Sequence, residues 1–213
     1  DSQLAYYAEY FQSVEINNTF YQLPEKDTLK TWRDTVPADF SFAVKANRYI
    51  THMKKLKDPQ DPLKNFFERV DLLDDKLGPL LFQLPDKWNF NAERLESFLQ
   101  ALPDHYRCAF EFRDTSWHNQ QAYDLLAQHG AAFCIYEFAG RVSPKETTAD
   151  FVYIRLHGPK KTPYEGEYGK QGLSGWAGAI NSWRQQGKDV YCYFDNDQAG
   201  YAPQDAQRLQ SMV

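Results

Sequence analysis

The chain has 213 residues, of which 42% are hydrophobic and 25% charged, and this is enough for one large core. The formal net charge of -5 argues against bulk electrostatic binding to nucleic acid, although a local basic cleft is compatible with it. No apolar run approaches the roughly 20 residues that span a bilayer, and the three cysteines lack CxxC or CxxH spacing. We therefore expect a cytoplasmic protein with reduced, buried thiols and no membrane partner.

Strand-like and helix-like segments alternate along the whole chain. The expected strands cover residues 13–21, 40–47, 77–85, 107–113, 131–138, 151–158 and 189–195. The expected helices cover residues 2–11, 24–32, 62–73, 91–102, 120–129, 174–186 and 203–212. Asn91 is a predicted N-cap and Gly130 a predicted helix end. Residues 47–61 form a basic loop, and residues 140–150 are polar and predict no clear helix.

The fold class follows from this alternation. Seven strands joined by helical or loop crossovers, with no hairpin signal such as Asn-Gly, predict a parallel sheet. An open doubly wound sheet would have apolar residues on both strand faces, whereas six of these strands have one polar or small face and one apolar face. We therefore predict a TIM-type α/β barrel formed by a single domain over residues 1–213, with its first strand missing or truncated at the N-terminus.

Several motifs resemble those of the domain of unknown function 72 (YecE-like) family. They lie in order across nearly the whole chain. They are VEINNTFY at residues 14–21, FAVKA at 42–46, FEFR at 110–113 with SW at 116–117, YIRLHG at 153–158 and FDND at 194–197. The resemblance implies a TIM-type barrel of undetermined biochemical role. Family members typically begin with a Gly-rich first strand that contains Gly-Trp, and nothing in this chain matches that strand.

Polar side chains share one face of these strands, and in a barrel they would converge at the carboxyl ends, where barrel enzymes have their active sites. The predicted catalytic residues are Glu111, Asp195, Glu15 and Lys45. The predicted substrate-binding residues are Arg113, Arg155, His157, Asn17, Thr19, Gln83, Trp117 and Gly200. The alternative for each charged residue is a structural ion pair, such as Glu111 with Arg155 or Glu15 with Lys45.

The balance of charge predicts a small anionic ligand. The cationic side chains outweigh the carboxylates Glu15, Glu111 and Asp195; they are Lys45, Arg113 and Arg155, together with Arg48, His52 and Lys160 on nearby loops. Arginine suits bidentate binding of phosphate or carboxylate. Gly200 precedes the last helix, whose N-terminus favours anions. Trp117 could stack on a sugar or a base, and packing in a loop is the alternative.

Three mechanisms fit these residues, in decreasing order of preference. The first is acid/base chemistry, for example a hydrolase reaction, by Glu111 and Asp195 (or Glu15) on a phosphorylated or sugar-like substrate. The second is a metal-dependent hydrolase or isomerase that uses Glu15, Glu111, His157 and Asp195, although no metal ligand set is assigned and the cofactor is left open. The third is a Schiff base on Lys45.

A protein without catalytic activity is the remaining alternative. The same cationic and aromatic residues would suit a nucleotide or single-stranded nucleic acid, which we consider the less favoured partner. The sequence does not decide between an enzyme and a binding protein, and it does not determine the oligomeric state.

Overall fold

The computed structural model describes residues 2–213 and divides the chain into two compact units. The N-terminal unit ends at Ala131, and the C-terminal unit runs from Ala132 to Val213. Each unit combines parallel strands with helices, as the alternation of segments predicts. The single domain over residues 1–213 stays a prediction.

Over residues 2–131, the N-terminal unit contains four parallel strands and five α-helices. The strands are β1 (Ser13–Ile16), β2 (Ser41–Lys45), β3 (Leu77–Leu84) and β4 (Cys108–Phe112), paired in that order. The helices are α1 (Ser2–Ala8), α2 (Lys26–Thr35), α3 (Gln60–Val70), α4 (Ala92–Gln100) and α5 (Gln120–Gln128). Short 3-10 turns cover Asn18–Phe20, Asp71–Lys76 and Thr115–Trp117, and Tyr49–Met53 forms a π-helical turn.

The core of the N-terminal unit lies between the sheet and its helices. Phe82 of β3 stacks on Phe110 of β4 with ring centroids 5.3 Å apart, and Phe98 of α4 meets Phe82 edge to face at 5.2 Å. All three rings are fully buried, so the apolar strand face packs against helices as predicted. The predicted cap of α4 is also confirmed, because the Asn91 side chain accepts a hydrogen bond from the Arg94 amide at 2.9 Å.

The C-terminal unit contains three parallel strands, one short antiparallel strand and two helices. The parallel strands are β5 (Ala132–Phe138), β7 (Phe151–Leu156) and β8 (Asp189–Phe194), with β7 between the other two. The short strand β6 (Arg141–Val142) pairs antiparallel with the end of β5. The helices are α6 (Lys170–Gln185) and α7 (Tyr201–Gln210), preceded by a 3-10 turn at Gln198–Gly200.

The sequence has no hairpin signal, but the structure contains a hairpin between β5 and β6. Residues 139 and 140 connect β5 to β6, and both have positive φ, 53° at Ala139 and 70° at Gly140. Two successive residues of this kind suit a tight two-residue turn whose twist matches that of the strands. The Ala-Gly pair lacks the Asn or Asp that makes such a turn recognisable in a sequence. The expected absence of a helix in residues 140–150 agrees with the structure over those residues.

Several predicted boundaries are wrong. The first strand ends at Ile16 rather than at residue 21, because the chain turns into the 3-10 segment at Asn18. Helix α1 ends at Ala8 rather than at residue 11. Helix α6 begins at Lys170 rather than at residue 174, and the Ser174 hydroxyl donates back to the Lys170 carbonyl at 2.8 Å from within the helix. Over residues 2–213, no helix combines the length and the apolar character needed to cross a membrane.

Cys108, which is buried, and Cys192, which is partly exposed, generate a prediction about thiol chemistry. Burial raises the pKa of Cys108 and of Cys192 to about 12, so only about one thiol in ten thousand is a thiolate at pH 8. We expect neither thiol to react with a disulfide reagent at pH 8 in the native protein, and both to react once the protein is unfolded in urea. Rapid reaction of the native protein at either position, read by mass spectrometry, would contradict this prediction.

Candidate functional site

The polar strand positions of the N-terminal unit lie on one face of its sheet. Glu15 pairs with Ala43, Lys45 pairs with Leu81, and Gln83 pairs with Glu111 in the strand register. Because side chains alternate along a strand, Glu15, Lys45, Gln83 and Glu111 all point to the same side. This side is opposite the aromatic core, as the sequence predicts.

Glu111 and Arg113 form a buried ion pair at the carboxyl end of β4. The Glu111 side chain is fully buried, and the Arg113 Nε donates a hydrogen bond to its Oε1. A buried carboxylate is costly without a cation, so Arg113 offsets the burial of Glu111. Within this unit, the structure therefore brings the predicted catalytic residue Glu111 into contact with the predicted substrate-binding residue Arg113.

Lys45 lies at the carboxyl end of β2 and contacts an aromatic side chain. Its Nζ is 4.2 Å from the centre of the Phe20 ring, within the range of a cation–π interaction. His52 also contacts Phe20, and its ring meets the Phe20 ring edge to face at 5.0 Å. Burial lowers the pKa of His52, and the charges of Lys45 and Arg48 lower it further. His52 is therefore a neutral ring at pH 7.

Thr19 and Asn17 lie beyond the end of β1, in and just before the 3-10 turn. The Thr19 side chain is fully buried, and its hydroxyl lies 3.0 Å from the Ile16 carbonyl and 2.7 Å from the Lys45 carbonyl. The side-chain amide of Asn47 donates a hydrogen bond through Nδ2 to the Thr19 carbonyl at 3.1 Å. Thr19 thus connects the carboxyl ends of β1 and β2 through backbone acceptors.

Trp117 is part of an aromatic cluster in the N-terminal unit. Its side chain is fully buried, with ring centroids 4.9 Å from Trp88, 5.2 Å from Phe90 and 4.9 Å from Phe112. The indole N–H donates to the Trp88 carbonyl. The indole therefore has a partner for its polar edge and core neighbours for its faces.

The C-terminal unit contains a second cluster, formed by Arg155, His157 and Asp195. Arg155 belongs to β7, while His157 and Asp195 lie just beyond the carboxyl ends of β7 and β8. Arg155 Nη2 donates to Asp195 Oδ2 at 2.7 Å, and His157 Nδ1 lies 3.2 Å from the same oxygen. The Arg155 and His157 side chains are 3% and 1% exposed, whereas that of Asp195 is 19% exposed. Asp195 is therefore the member of the cluster that reaches the surface.

His157 contacts both other members of the cluster. Its Nε2 lies 3.4 Å from Arg155 Nη1, which can only donate. Its Nδ1 lies 3.2 Å from Asp195 Oδ2. The ring meets Phe138 and Tyr164 edge to face, at 5.4 and 5.7 Å. Together these contacts fix the orientation of the imidazole.

Two buried polar residues beside this cluster, Asp205 and Asn196, were not among the predicted site residues. The Asp205 side chain is fully buried in α7 and accepts hydrogen bonds from the Tyr168 amide at 3.0 Å and from Asn196 Nδ2 at 2.9 Å. Asn196 Nδ2 also donates to the Gly166 carbonyl at 2.9 Å, and the Gly158 amide donates to the Tyr168 hydroxyl at 3.2 Å. This network fixes the loop that follows β7. Asp205 lies in a helix rich in polar residues, so its burial has no local signal in the sequence.

Gly158 sets the path of the same loop. Its φ is 99°, and a Cβ at this position would lie 2.4 Å from the Glu165 carbonyl oxygen. Only glycine fits such a close approach of two backbone segments. The chain therefore turns back on itself directly after His157.

Gly200 is the N-cap residue of α7 and has a φ of 72°. Its amide donates to the Asp197 carbonyl at 3.1 Å, so this amide is used within the turn. Residues 2–213 contain no group of three or more His, Cys, Asp or Glu side chains arranged to hold a metal ion. The proposed metal set of Glu15, Glu111, His157 and Asp195 thus has no support from the geometry.

Glu137 lies at the end of β5, on the strand face that packs against α6. Its Oε2 accepts a hydrogen bond from Trp176 Nε1 at 3.2 Å, and the Tyr168 hydroxyl also bonds to its carboxylate. Burial raises the pKa of Glu137, and these two hydrogen bonds and the charge of Lys145 act in the opposite direction. Sequence patterning did not single out Glu137.

The chain matches the family model described as "Protein of unknown function DUF72" over residues 1–213, and it belongs to that family. It is 24% identical to the UPF0759 protein YunF of Bacillus subtilis over 99% of this chain and 86% of the relative. It is 31% identical to the UPF0759 protein YecE of Escherichia coli K12 over 53% of this chain and 42% of the relative.

Two solved structures of DUF72 family proteins resemble this chain. The Thermotoga maritima protein has a TM-score of 0.84 and 28% identity, covering 95% of this chain and 84% of its own. The Enterococcus faecalis protein has a TM-score of 0.86 and 21% identity, covering 99% of this chain and 92% of its own. These likenesses confirm the predicted fold class, an α/β barrel of the TIM type. The resemblance to the YecE-like family is confirmed as well.

The contacts of Thr19 generate a prediction about stability. Thr19→Val keeps the shape of the side chain but removes the donor to two backbone carbonyls, so we expect a loss of about 1–2 kcal/mol in the free energy of unfolding. Urea unfolding measures the change. Thr31→Val is the matched control, because the exposed Thr31 hydroxyl bonds only within α2. Equal effects of the two substitutions would contradict the assigned role of Thr19.

Glu137 generates a prediction about pH. Its folded-state pKa is raised, so ionisation of Glu137 destabilises the folded state as the pH rises from about 4.5 through that raised pKa. Glu137→Gln removes this charge and keeps an acceptor for Trp176. We expect the variant to gain stability relative to the wild type between pH 4 and pH 7, by less than about 1 kcal/mol because the half-exposed carboxylate is screened by solvent. Glu146→Gln, at an exposed position, should show no such trend in urea unfolding.

Proposed function

We propose that this protein is an enzyme that uses acid/base chemistry on a small anionic substrate, phosphorylated or sugar-like. The observation that supports the proposal is the Asp195 carboxylate, which is partly exposed while both of its partners in the cluster are almost completely buried. A carboxylate held in this way can accept a proton from a substrate hydroxyl or from water within hydrogen-bond reach.

The surroundings of Asp195 support a role in proton transfer. The Arg155 guanidinium, at 2.7 Å, stabilises the ionised carboxylate, and His157 Nδ1 lies 3.2 Å from the same oxygen. The two buried neighbours hold a carboxylate that is itself partly exposed and could receive a substrate proton. An orienting shell of buried partners is typical of catalytic groups that must keep one geometry.

The loop after β7 supports the choice of an anionic substrate. Lys160 and Lys161 follow His157 closely and are both exposed. The stem of Lys160 packs on Gly166, whose carbonyl is bonded to Asn196, the neighbour of Asp195. A lysine ammonium on this loop would neutralise a phosphate or carboxylate group of a substrate that reaches Asp195.

A second candidate function is binding of a nucleotide or single-stranded nucleic acid without catalysis. The observation that favours it is Tyr21, which is 73% exposed and meets Phe20 edge to face at 5.1 Å. Lys45 contacts Phe20 as well. An exposed ring beside a cation can stack on a base. Binding of this kind would weaken steeply with increasing salt.

A metabolite screen followed by one substitution tests the proposed enzyme. Phosphorylated metabolites and sugars are first screened for thermal stabilisation of the wild-type protein, and compounds that bind are then assayed for turnover. In Asp195→Asn the proton acceptor is lost while the shape is kept, so we expect turnover to fall by about 100-fold or more.

Asp197→Asn is the control, since Asp197 is exposed and lies outside the cluster. It should retain the turnover of the wild type. Asp195→Asn also removes the carboxylate partner of Arg155. The unfolding temperatures of both variants therefore show whether a loss of turnover comes from lost chemistry or from lost structure. Unchanged turnover in a folded Asp195→Asn variant would overturn the proposal. A compound that binds the wild type in a salt-dependent way and is not turned over would favour the second candidate.

A further inference from the structure

Tyr164 is an exposed aromatic residue at the Asp195 cluster that the proposed function does not use. It lies in the loop after β7 and is 48% exposed. Its ring meets the His157 ring edge to face at 5.7 Å and the Phe138 ring edge to face at 6.0 Å. His157 Nδ1 in turn lies 3.2 Å from Asp195 Oδ2. The exposed ring and the partly exposed carboxylate are therefore both in contact with the same imidazole.

The backbone of Tyr164 is held in a conformation that is unfavourable for a bulky side chain. Its φ is 68°, in the left-handed region, where such a residue is strained. Two hydrogen bonds hold it there. The Tyr164 amide donates to the His157 carbonyl at 2.7 Å, and the Tyr164 carbonyl accepts from the Gln198 amide at 3.4 Å. The residue is thus bound both to the end of β7 and to the turn after β8, so its position is fixed before any ligand binds.

Two neighbouring turns of the C-terminal unit contain residues with the same kind of backbone. The φ angle is 53° at Ala139, after β5, and 53° at Ala199, after β8. Alanine is sufficient in these turns, so the conformation itself does not require an aromatic ring. Among residues 2–213, Tyr164 is the one aromatic residue with positive φ. Strained residues are found preferentially at functional sites, and we therefore infer that the ring of Tyr164 has a role in binding.

The exposed groups indicate the chemistry of the ligand. A tyrosine ring offers a rigid apolar face, and an ionised carboxylate such as that of Asp195 only accepts hydrogen bonds. Lys160, whose stem packs on Gly166, adds an exposed ammonium that suits a phosphate. A sugar phosphate has C–H groups on the faces of its ring, hydroxyl donors around its edge and an anion, so it matches all three groups. A nucleobase would also stack, but much of its edge consists of acceptors that a carboxylate repels.

We propose that Tyr164 determines specificity by binding a sugar phosphate, with the sugar ring on Tyr164, a hydroxyl at Asp195 and the phosphate at Lys160. The inference rests on the proposed function, because it names the substrate class of the same site. A sugar stacked on Tyr164 lies beside His157, where one of its hydroxyls is within reach of the carboxylate that accepts the proton.

Binding measurements on the full chain test the proposal without requiring turnover. The probes are the 6-phosphates of glucose, mannose and galactose, glycerol 3-phosphate, which lacks a sugar ring, and AMP, which has a planar base. We expect at least one hexose phosphate to bind the wild type more tightly than glycerol 3-phosphate and AMP do. In saturation-transfer difference nuclear magnetic resonance, its ring C–H protons should give stronger signals than its C6 protons.

Two substitutions isolate the contribution of the ring. Tyr164→Leu keeps a side chain at the strained position but removes the aromatic face, so the affinity for the hexose phosphate should fall about tenfold, which corresponds to about 1.4 kcal/mol. Tyr164→Phe keeps the ring and should retain the affinity of the wild type. Tyr49→Leu is the matched control, because Tyr49 is 46% exposed and lies in the N-terminal unit. It should leave the affinity unchanged, and unfolding temperatures report whether each variant is folded.

Four results would overturn the proposal. They are no binding of any of the three hexose phosphates, equally tight binding of AMP or glycerol 3-phosphate, equal effects of Tyr164→Leu and Tyr49→Leu, and ring protons no more saturated than the C6 protons. Failure of the proposed function gives a different pattern. Unchanged turnover in Asp195→Asn, with sugar-phosphate binding lost in Tyr164→Leu, rejects the acid/base chemistry and keeps the role of Tyr164. Turnover that depends on Asp195, with affinity independent of Tyr164, rejects the role of Tyr164 alone.

Discussion

Both units depend on one constraint, which is that charged side chains are buried at the carboxyl ends of their strands. Glu111 and Arg155 are side chains that a protein interior accepts only with an opposite charge in contact. In the N-terminal unit Arg113 supplies that charge, and in the C-terminal unit Asp195 does. Removing one partner would leave the other uncompensated, so these residues are fixed in pairs. Each of these ion pairs also reaches the surface. Each unit therefore has a rigid polar group at the carboxyl ends of its strands.

The parallel strands could be predicted from sequence because the information is local. The alternation around Phe110 and Glu111 distinguishes an apolar face from a polar face, and the register confirms it. The short strand at Arg141 could not be predicted, since its turn depends on positive φ at Ala139, a residue that rarely adopts it. The end of β1 was placed too late because Thr19 fits the alternating pattern. Its hydroxyl, however, bonds across to the Lys45 carbonyl, a contact that no local pattern reveals.

The candidate site likewise contains residues that local sequence patterns predict and residues whose contacts come from distant segments of the chain. The sequence predicted Arg155, His157 and Asp195 as site residues, because each lies near the end of a predicted strand. It could not find Asp205, whose partners Asn196 and Tyr168 come from other segments of the chain. Nor could it separate Trp117, which is surrounded by core aromatic rings, from an exposed ring such as Tyr21. The difference between the two is burial, and burial depends on the whole fold.

The close approach of Gly158 to Glu165 has a consequence for how relatives of this protein can diverge. The two residues close the base of a loop whose outer part, residues 159–163, lies beyond the contacts that Tyr164 makes with His157. Insertions, deletions and new side chains can enter this outer part without moving His157 or Asp195. The outer part can therefore vary while the Arg155–Asp195 pair stays the same. The His-Gly dipeptide at positions 157 and 158 marks the start of this loop in the sequence.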